Sequence, residues 1–205
     1  MGLPQSIDRC TPEEYLRRER DATERHQFYH GEVFAMSGGT PRHSLVIANV
    51  TREVGNALKA GPCQVYDSNL RVRIPRTTLY TYPDVSVVCG PLEFDPLDAR
   101  QETVLNPTLV VEVLSPSTES WDRGGKFENY QQIASFREYV LVAAESPRVE
   151  TFLRQADGTW LYAAAAGMDA VVQLRSLNVA LPLAEIYRGV TFAPPPPMPA
   201  GDTAI

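Results

Sequence analysis

An acidic residue, Glu112, interrupts the apolar run LVVEVL at residues 109–114. On a β-strand its same-face neighbours would be Val110 and Leu114, which are both apolar. A lone buried carboxylate costs several kcal/mol unless it is paired, bound to a metal or protonated. Glu112 therefore needs a metal ion, a cationic side chain or a raised pKa. The alternative is an edge strand on which Glu112 lies at a solvated rim.

A second acid, Asp84, follows Pro83 in the segment YTYPDVSVVC at residues 80–89. In an extended strand Asp84 shares the less apolar face with Ser86 and Val88. If this strand lies beside the strand of Glu112, the two carboxylates can reach one cation. Hard divalent cations such as Mg²⁺ prefer carboxylate oxygens and complete their coordination with water. Taken alone, Asp84 is equally consistent with an ordinary acid on an exposed strand face.

Lys126 lies near the start of the helix predicted after the Glu112 strand, and it is one of only two lysines among the 19 Lys and Arg residues. A strand, loop and helix in that order can turn its amine back toward the strand end. There the amine can position an attacking water or offset charge in a phosphoryl-transfer transition state. Asp122 lies four residues earlier, which is the favoured order for a helical ion pair. The spacing leaves both interpretations open.

Three further residues are candidates for binding a cation or a phosphate. Glu32 follows a predicted hairpin turn and either supplies a third carboxylate or edges the hairpin. Arg42 and His43 lie in the first turn of a predicted long helix, where backbone donors point outward and a phosphate contact is expected. A basic strand could touch a phosphate or form a solvated face; its residues are Arg71, Arg73 and Arg76.

The elements that must position these residues follow from periodicity, caps and breakers. Helices are predicted at 11–22, 41–60 and 122–134, and near 182–187. Strands are predicted in a hairpin at 27–36 and at 68–74, 80–89, 108–114, 139–144, 149–154 and 159–164. This order predicts an α/β fold with a central mixed β-sheet flanked by helices, with additional strands. We predict one domain over residues 1–192 and a Pro-rich tail over 193–205.

The chain has 205 residues, a formal net charge of −6 and 43% hydrophobic residues. This composition excludes a disordered chain and argues against a surface coated throughout by nucleic acid, while leaving room for a local basic groove. No apolar run is long enough to span a membrane and no secretory signal is predicted. The three cysteines are far apart with no CxxC pair, which predicts unpaired thiols and a cytoplasmic protein.

Three segments together resemble the Uma-two family of restriction-endonuclease-like proteins, and the resemblance covers about residues 10–190. The segments are HGEVFAMSGGTPRH (30–43), YPDVSVVCG (82–90) and VVEVLSPSTESWDRGGKFENYQQIASFREYVLV (110–142). The resemblance implies a PD-(D/E)xK nuclease core in which Asp84, Glu112 and Glu32 share one metal site. In the wider superfamily a lysine follows the second acid by two residues, where this chain has Leu114. Lys126 resembles the migrated replacement.

The primary hypothesis is a Mg²⁺- or Mn²⁺-dependent endonuclease that hydrolyses DNA, with Asp84, Glu112 and Lys126 as catalytic residues. Arg42 and His43 would bind the substrate, and a homodimer would suit duplex cleavage. An alternative is a catalytically silent module that binds nucleic acid or protein on the same fold. A third hypothesis is a metal-dependent hydrolase for a substrate other than nucleic acid.

Overall fold

The structure, a computed structural model, describes residues 5–36 and 38–192 of the chain. It is an α/β fold with two six-stranded sheets, a short hairpin and helices on the outside. The proline-rich tail predicted at 193–205 lies outside the described residues. The helices are α1 (Pro12–Arg20), α2 (Pro41–Leu58), α3 (Glu119–Trp121), α4 (Phe127–Tyr130) and α5 (Leu183–Ile186).

The central sheet contains β4 (Cys63–Asp67), β7 (Val85–Cys89), β9 (Leu109–Leu114), β10 (Glu138–Ala143), β11 (Arg148–Arg154) and β12 (Trp160–Ala166). Its strand order is β12-β11-β10-β9-β7-β4. β9 and β10 are parallel, whereas the other neighbours are antiparallel. The sheet is therefore mixed, as predicted, and the crossover between its two parallel strands carries Lys126.

The additional strands form a second sheet and a hairpin. The second sheet contains β1 (Asp8–Arg9), β2 (His26–Tyr29), β3 (Glu32–Ala35), β5 (Arg71–Ile74), β6 (Leu79–Thr81) and β8 (Thr103–Val104). β13 (Val171–Leu174) and β14 (Val179–Pro182) form a separate two-stranded antiparallel hairpin. The hairpin of β2 and β3 turns at His30 and Gly31, as the sequence predicts.

The two faces of the central sheet pack against different layers. One face packs against α2, α5 and the β13–β14 hairpin, and its core includes Val85, Val111 and Val113. The other face packs against the second sheet and the α4 region, and its core includes Val110 and Leu114. Glu112 lies between these last two residues in the alternation, so it points toward the second layer.

Both long helices begin where the sequence predicts. The side chain of Thr40 accepts a hydrogen bond from the His43 N–H at 3.2 Å, and Pro41 occupies the first turn of α2. The buried face of α2 includes Val46, Val50 and Val54, at helical spacing. Thr11 caps α1 in the same way. No helix within residues 5–36 and 38–192 is long and apolar enough to cross a membrane.

The segment predicted as one strand at 80–89 is two strands in two sheets. β6 belongs to the second sheet and β7 to the central sheet, and Tyr82, Pro83 and Asp84 connect them. Proline has no N–H to donate to a ladder, which favours a break at Pro83. Asp84 therefore lies at the crossing between the sheets, directly before β7.

The helix predicted at 122–134 is shorter and less regular than expected. α3 leads into a π-helical turn, Asp122–Lys126, and α4 ends at Tyr130. A Cβ on Gly125 would lie 1.9 Å from the ring of Trp121. Glycine is therefore required where this ring lies against the backbone. The π-helical turn carries both Asp122 and Lys126, and such turns are frequent at functional sites.

The prediction that the cysteines are unpaired is wrong for two of them. Cys63 and Cys89 are opposite each other in the register of β4 and β7, and they form a disulfide. Their separation of 26 residues contains no recognisable motif. Because the antiparallel register alone brings them together, spacing could not reveal the pair. Cys10 is a free cysteine.

Candidate active site

A cavity of about 280 Å³ opens where β7 and β9 meet the start of α2 and the π-helical turn. It is lined by four residues that the sequence singles out, Asp84, Glu112, Lys126 and His43, and by Asp122. The loop 115–118 adds three hydroxyl groups to the wall. The cavity thus collects side chains from two strands, one helix and one crossover.

The two carboxylates are adjacent because of strand register. Val85 pairs with Val111 across β7 and β9, so extending the register by one residue places Asp84 beside Glu112. The Oδ2 atom of Asp84 accepts a hydrogen bond from the Val113 N–H at 2.7 Å. Glu112 is only 3% exposed and all six residues of β9 are buried. The alternative of a solvated rim position for Glu112 is therefore wrong.

Lys126 forms the ion pair that its spacing from Asp122 predicts, and its amine also turns back to the Glu112 strand. Its Nζ lies 3.0 Å from Oε1 of Glu112 and 3.0 Å from Oδ1 of Asp122. The contact with Asp122 is close but poorly aligned, since that buried oxygen has no hydrogen-bond partner by geometry. One amine is therefore shared by two buried carboxylates, with the third, Asp84, nearby.

Burial and the excess of carboxylates together shift the pKa values of the cavity residues. Burial raises the pKa of Glu112 to about 8, and Asp122 and Asp84 raise it as well, while Lys126 opposes the shift. Burial also raises the pKa of Asp84. For Lys126 burial lowers the pKa, but the carboxylates of Glu112, Asp122 and Asp84 outweigh it and raise the pKa. The positive charge of Lys126 alone is therefore too small to balance the three nearby carboxylates.

We expect the stability of the metal-free protein to fall with rising pH because of Glu112. A folded-state pKa of about 8 lies above the unfolded value, so the stabilising contribution is full at low pH and is lost as pH rises through about 8. In EDTA, the thermal unfolding midpoint of Glu112→Gln should therefore rise relative to that of wild type as the pH increases from about 5 to about 9. Thermal melts across this range measure the difference. The exposed Glu128→Gln serves as control, and a difference that does not change with pH for Glu112→Gln would contradict the prediction.

The structure does not bring Glu32 to the other two acids. Glu32 lies on β3 of the second sheet, opposite Arg9 in the register, and its Oε1 is 2.6 Å from the guanidinium of Arg9. It does not line the cavity. Glu32 therefore lies at the edge of the hairpin and does not supply a third carboxylate to the cavity.

His43 lines the cavity, whereas Arg42 does not. His43 Nε2 is 2.8 Å from the Val113 carbonyl oxygen and 3.7 Å from Oδ2 of Asp84. Arg42 forms an ion pair with Glu145, which also lines the cavity. His43 therefore lies next to Asp84, whereas Arg42 reaches the site only through its ion pair with an exposed acid.

The basic strand is neither a phosphate-binding surface nor a solvated face at Arg71. This side chain is buried and donates to Asp98 at 3.0 Å, to Thr103 at 2.7 Å and to the Tyr82 hydroxyl at 2.9 Å. Arg73 pairs in turn with Asp95. The local sequence contains no sign of these partners, which lie at least 11 residues away.

Tyr130, which lies in a segment that carries the family resemblance but had no predicted role, also contacts the site. The buried hydroxyl of Tyr130 donates a hydrogen bond to Oε1 of Glu112 at 2.9 Å. Asp122, Lys126 and Tyr130 recur at intervals of four residues, which places them on one side of a helical segment. That spacing was the available signal.

The carboxylates suit a divalent cation that needs only one or two protein ligands. Within the described parts of the chain, no three Asp, Glu, His or Cys side chains are placed to hold a metal together. Mg²⁺ commonly uses one or two carboxylates and completes its shell with water and substrate phosphate. Asp84 and Glu112 provide two carboxylates in a cavity with surplus negative charge. The donor set therefore fits such a cation.

Comparisons with known proteins identify a family and two relatives that resemble this chain. The family described as "Uma2: Putative restriction endonuclease" matches residues 12–184. The uncharacterized protein slr1290 of Synechocystis sp. is 37% identical over 185 residues, covering 90% of this chain and 94% of that protein. A second Synechocystis protein, the uncharacterized sll1609, is 31% identical over 169 residues, or 82% and 94% of the two chains.

A solved structure has the same fold. It is described as "a putative nuclease belonging to DUF820 from Anabaena variabilis". The TM-score is 0.65 with 16% sequence identity, over 89% of this chain and 97% of that one. At this identity the likeness concerns the fold alone, and it supports the restriction-endonuclease-like architecture expected from the sequence.

Proposed function

Because the chain belongs to the Uma2 family, we propose that it is a Mg²⁺- or Mn²⁺-dependent endonuclease that hydrolyses phosphodiester bonds in DNA. One observation carries the proposal: Asp84, Glu112 and Lys126 come from three separate elements and converge on one cavity. Buried titratable side chains with shifted pKa values that meet in a cleft are typical of functional sites.

Each residue has a distinct task in this proposal. Asp84 and Glu112 hold the cation, which supplies Lewis-acid charge to the phosphate and acidifies a water molecule. Lys126 orients the attacking water or offsets the charge that develops on the phosphate. Glu32 is left out of the cation site because its carboxylate binds Arg9.

Arg42 and His43 are proposed to seat the DNA backbone. A substrate phosphate can replace Glu145 as the partner of Arg42, since both are anionic acceptors for a guanidinium. His43 adds a ring nitrogen next to Asp84. Contacts to phosphates carry no sequence information, so these residues would position DNA of any sequence.

Plasmid nicking tests the proposal. We expect wild-type protein to nick supercoiled plasmid in Mg²⁺ or Mn²⁺ and to be inactive in EDTA. Glu112→Ala removes a cation ligand and should abolish nicking. Equal nicking by both proteins would identify a contaminating nuclease and contradict the proposal.

A catalytically silent module on the same fold is the second candidate. It is favoured by the ion pairs that already occupy Lys126, because an amine held by two carboxylates is not free to act on a phosphate. DNA binding that weakens steeply with salt, without cleavage in any metal, would support this function instead.

We also propose a homodimer, because cleavage of both strands of a duplex by a chain with one site needs two copies. Sedimentation at increasing concentration measures the oligomeric state. Linear plasmid appearing together with nicked plasmid is the expected product pattern of paired sites. A monomer that produces only nicks would overturn the dimer without affecting the proposed chemistry.

A further inference from the structure

We propose that Tyr130 is a positioning residue that fixes the carboxylate of Glu112, so that one oxygen faces a divalent cation. The inference rests on the proposed function, since it concerns the same site. The Tyr130 hydroxyl donates to Oε1 of Glu112 at 2.9 Å, and Nζ of Lys126 is 3.0 Å from the same oxygen. No hydrogen bond to Oε2 occurs among the residues that the structure describes.

The donor is held in place by its surroundings. Tyr130 is fully buried, and the centre of its ring lies 5.6 Å from those of Phe136 and Tyr139. A tyrosine hydroxyl sits at the end of a rigid ring with only two side-chain torsions. Because close packing blocks both torsions, the hydroxyl cannot follow Glu112 if that carboxylate turns.

Two donors on one oxygen determine how Glu112 is presented. A glutamate has three side-chain torsions, so burial of its stem does not by itself orient the carboxylate. The Tyr130 hydroxyl and the Lys126 amine together hold Oε1 on the protein side, which leaves Oε2 available to a cation. Partners that orient ligating carboxylates in this way strongly affect metal affinity.

Lys126 alone would not keep Oε2 of Glu112 free for a cation. Its ammonium has three donors on a flexible stem, so it can contact both oxygens of a carboxylate at once. In Tyr130→Phe the amine is the remaining donor to Glu112 and can close over Oε2. The rigid hydroxyl therefore separates the oxygen that binds protein from the oxygen that binds a cation.

The chain contains a matched arrangement away from the cavity. The buried Tyr80 hydroxyl donates to Oδ2 of Asp95 at 2.8 Å, and Arg73 pairs with the other oxygen of that carboxylate. None of these three residues lines the cavity. Tyr80→Phe thus removes the same kind of hydrogen bond, from a buried tyrosine to a buried acid paired with a cation.

Mn²⁺ titration of the whole protein, followed by the electron paramagnetic resonance signal of free Mn²⁺, tests the inference. We expect Tyr130→Phe to weaken Mn²⁺ binding by about 10- to 100-fold and Tyr80→Phe by less than about 2-fold. Thermal melts of both variants check that each is folded. Raising Mn²⁺ should restore nicking by Tyr130→Phe, because Glu112 is still present, but should not restore nicking by Glu112→Ala.

The possible outcomes separate the inference from the function on which it rests. Equal Mn²⁺ affinity in Tyr130→Phe and wild type would overturn the positioning role and leave the nuclease proposal standing. Equal losses in Tyr130→Phe and Tyr80→Phe would also overturn it, since the effect would then be general destabilisation. Absence of Mn²⁺ binding by wild type would overturn both.

Discussion

Lys126→Met is expected to lower the rate of metal-dependent plasmid nicking by about 100- to 1000-fold, the usual effect of losing one donor that stabilises transition-state charge. Methionine keeps the length of the stem and removes the amine. The chain provides a matched control, because Lys59 is the only other lysine and is exposed at the end of α2. Lys59→Met should nick at the wild-type rate. Undiminished nicking by Lys126→Met would show that this amine takes no part in the reaction.

The same variant should also be less stable in EDTA. Without Lys126 the carboxylates of Glu112 and Asp122 lose their shared cation, and breaking a buried ion pair in this way typically costs about 3–5 kcal/mol. Because a divalent cation supplies the missing positive charge, Mg²⁺ should restore part of the loss. Urea unfolding with and without Mg²⁺ measures both effects.

Arg71→Met is expected to lower the free energy of unfolding by about 3–5 kcal/mol, because it leaves the buried carboxylate of Asp98 without its cation. The Tyr82 hydroxyl and the Thr103 side chain lose a partner as well. Urea denaturation measures the change. Arg76→Met is the control from the same basic segment, and as an exposed side chain it should change stability by less than about 0.5 kcal/mol.

DNA binding separates this structural role from the phosphate contact that the sequence allowed. Since the guanidinium of Arg71 is enclosed by protein, we expect Arg71→Met, under conditions where it is folded, to bind a DNA duplex as wild type does. The salt dependence of binding should also stay the same, because no phosphate contact is lost. A shallower salt slope in this variant would show that Arg71 reaches DNA.

Several features of the site could be predicted from local sequence because they depend on local physics. Glu112 in an apolar strand had to find a partner, since burying a lone carboxylate is too costly. The caps at Thr11 and Thr40 marked the starts of α1 and α2. The spacing of Asp122 and Lys126 indicated their ion pair, which the structure contains.

Other features depend on which strands become neighbours, and no local pattern contains that information. Glu32 shares a strand with apolar neighbours just as Glu112 does, yet its sheet places it against Arg9 instead of the cavity. Cys63 and Cys89 form a disulfide because β4 and β7 pair in one register. A shift of one residue would separate the two sulfur atoms onto opposite faces.

By itself, the sequence determined the α/β class, the starts of α1 and α2, and an apolar strand in which Glu112, if buried, needs a cation or a raised pKa. Periodicity, caps and desolvation act over a few residues, so their effects can be predicted from a short segment of sequence. Only the tertiary structure decided that Asp84 lies beside Glu112, that Lys126 serves two acids and that Tyr130 holds one of them. Those contacts arise from sheet register and layer packing, which join segments far apart in the chain.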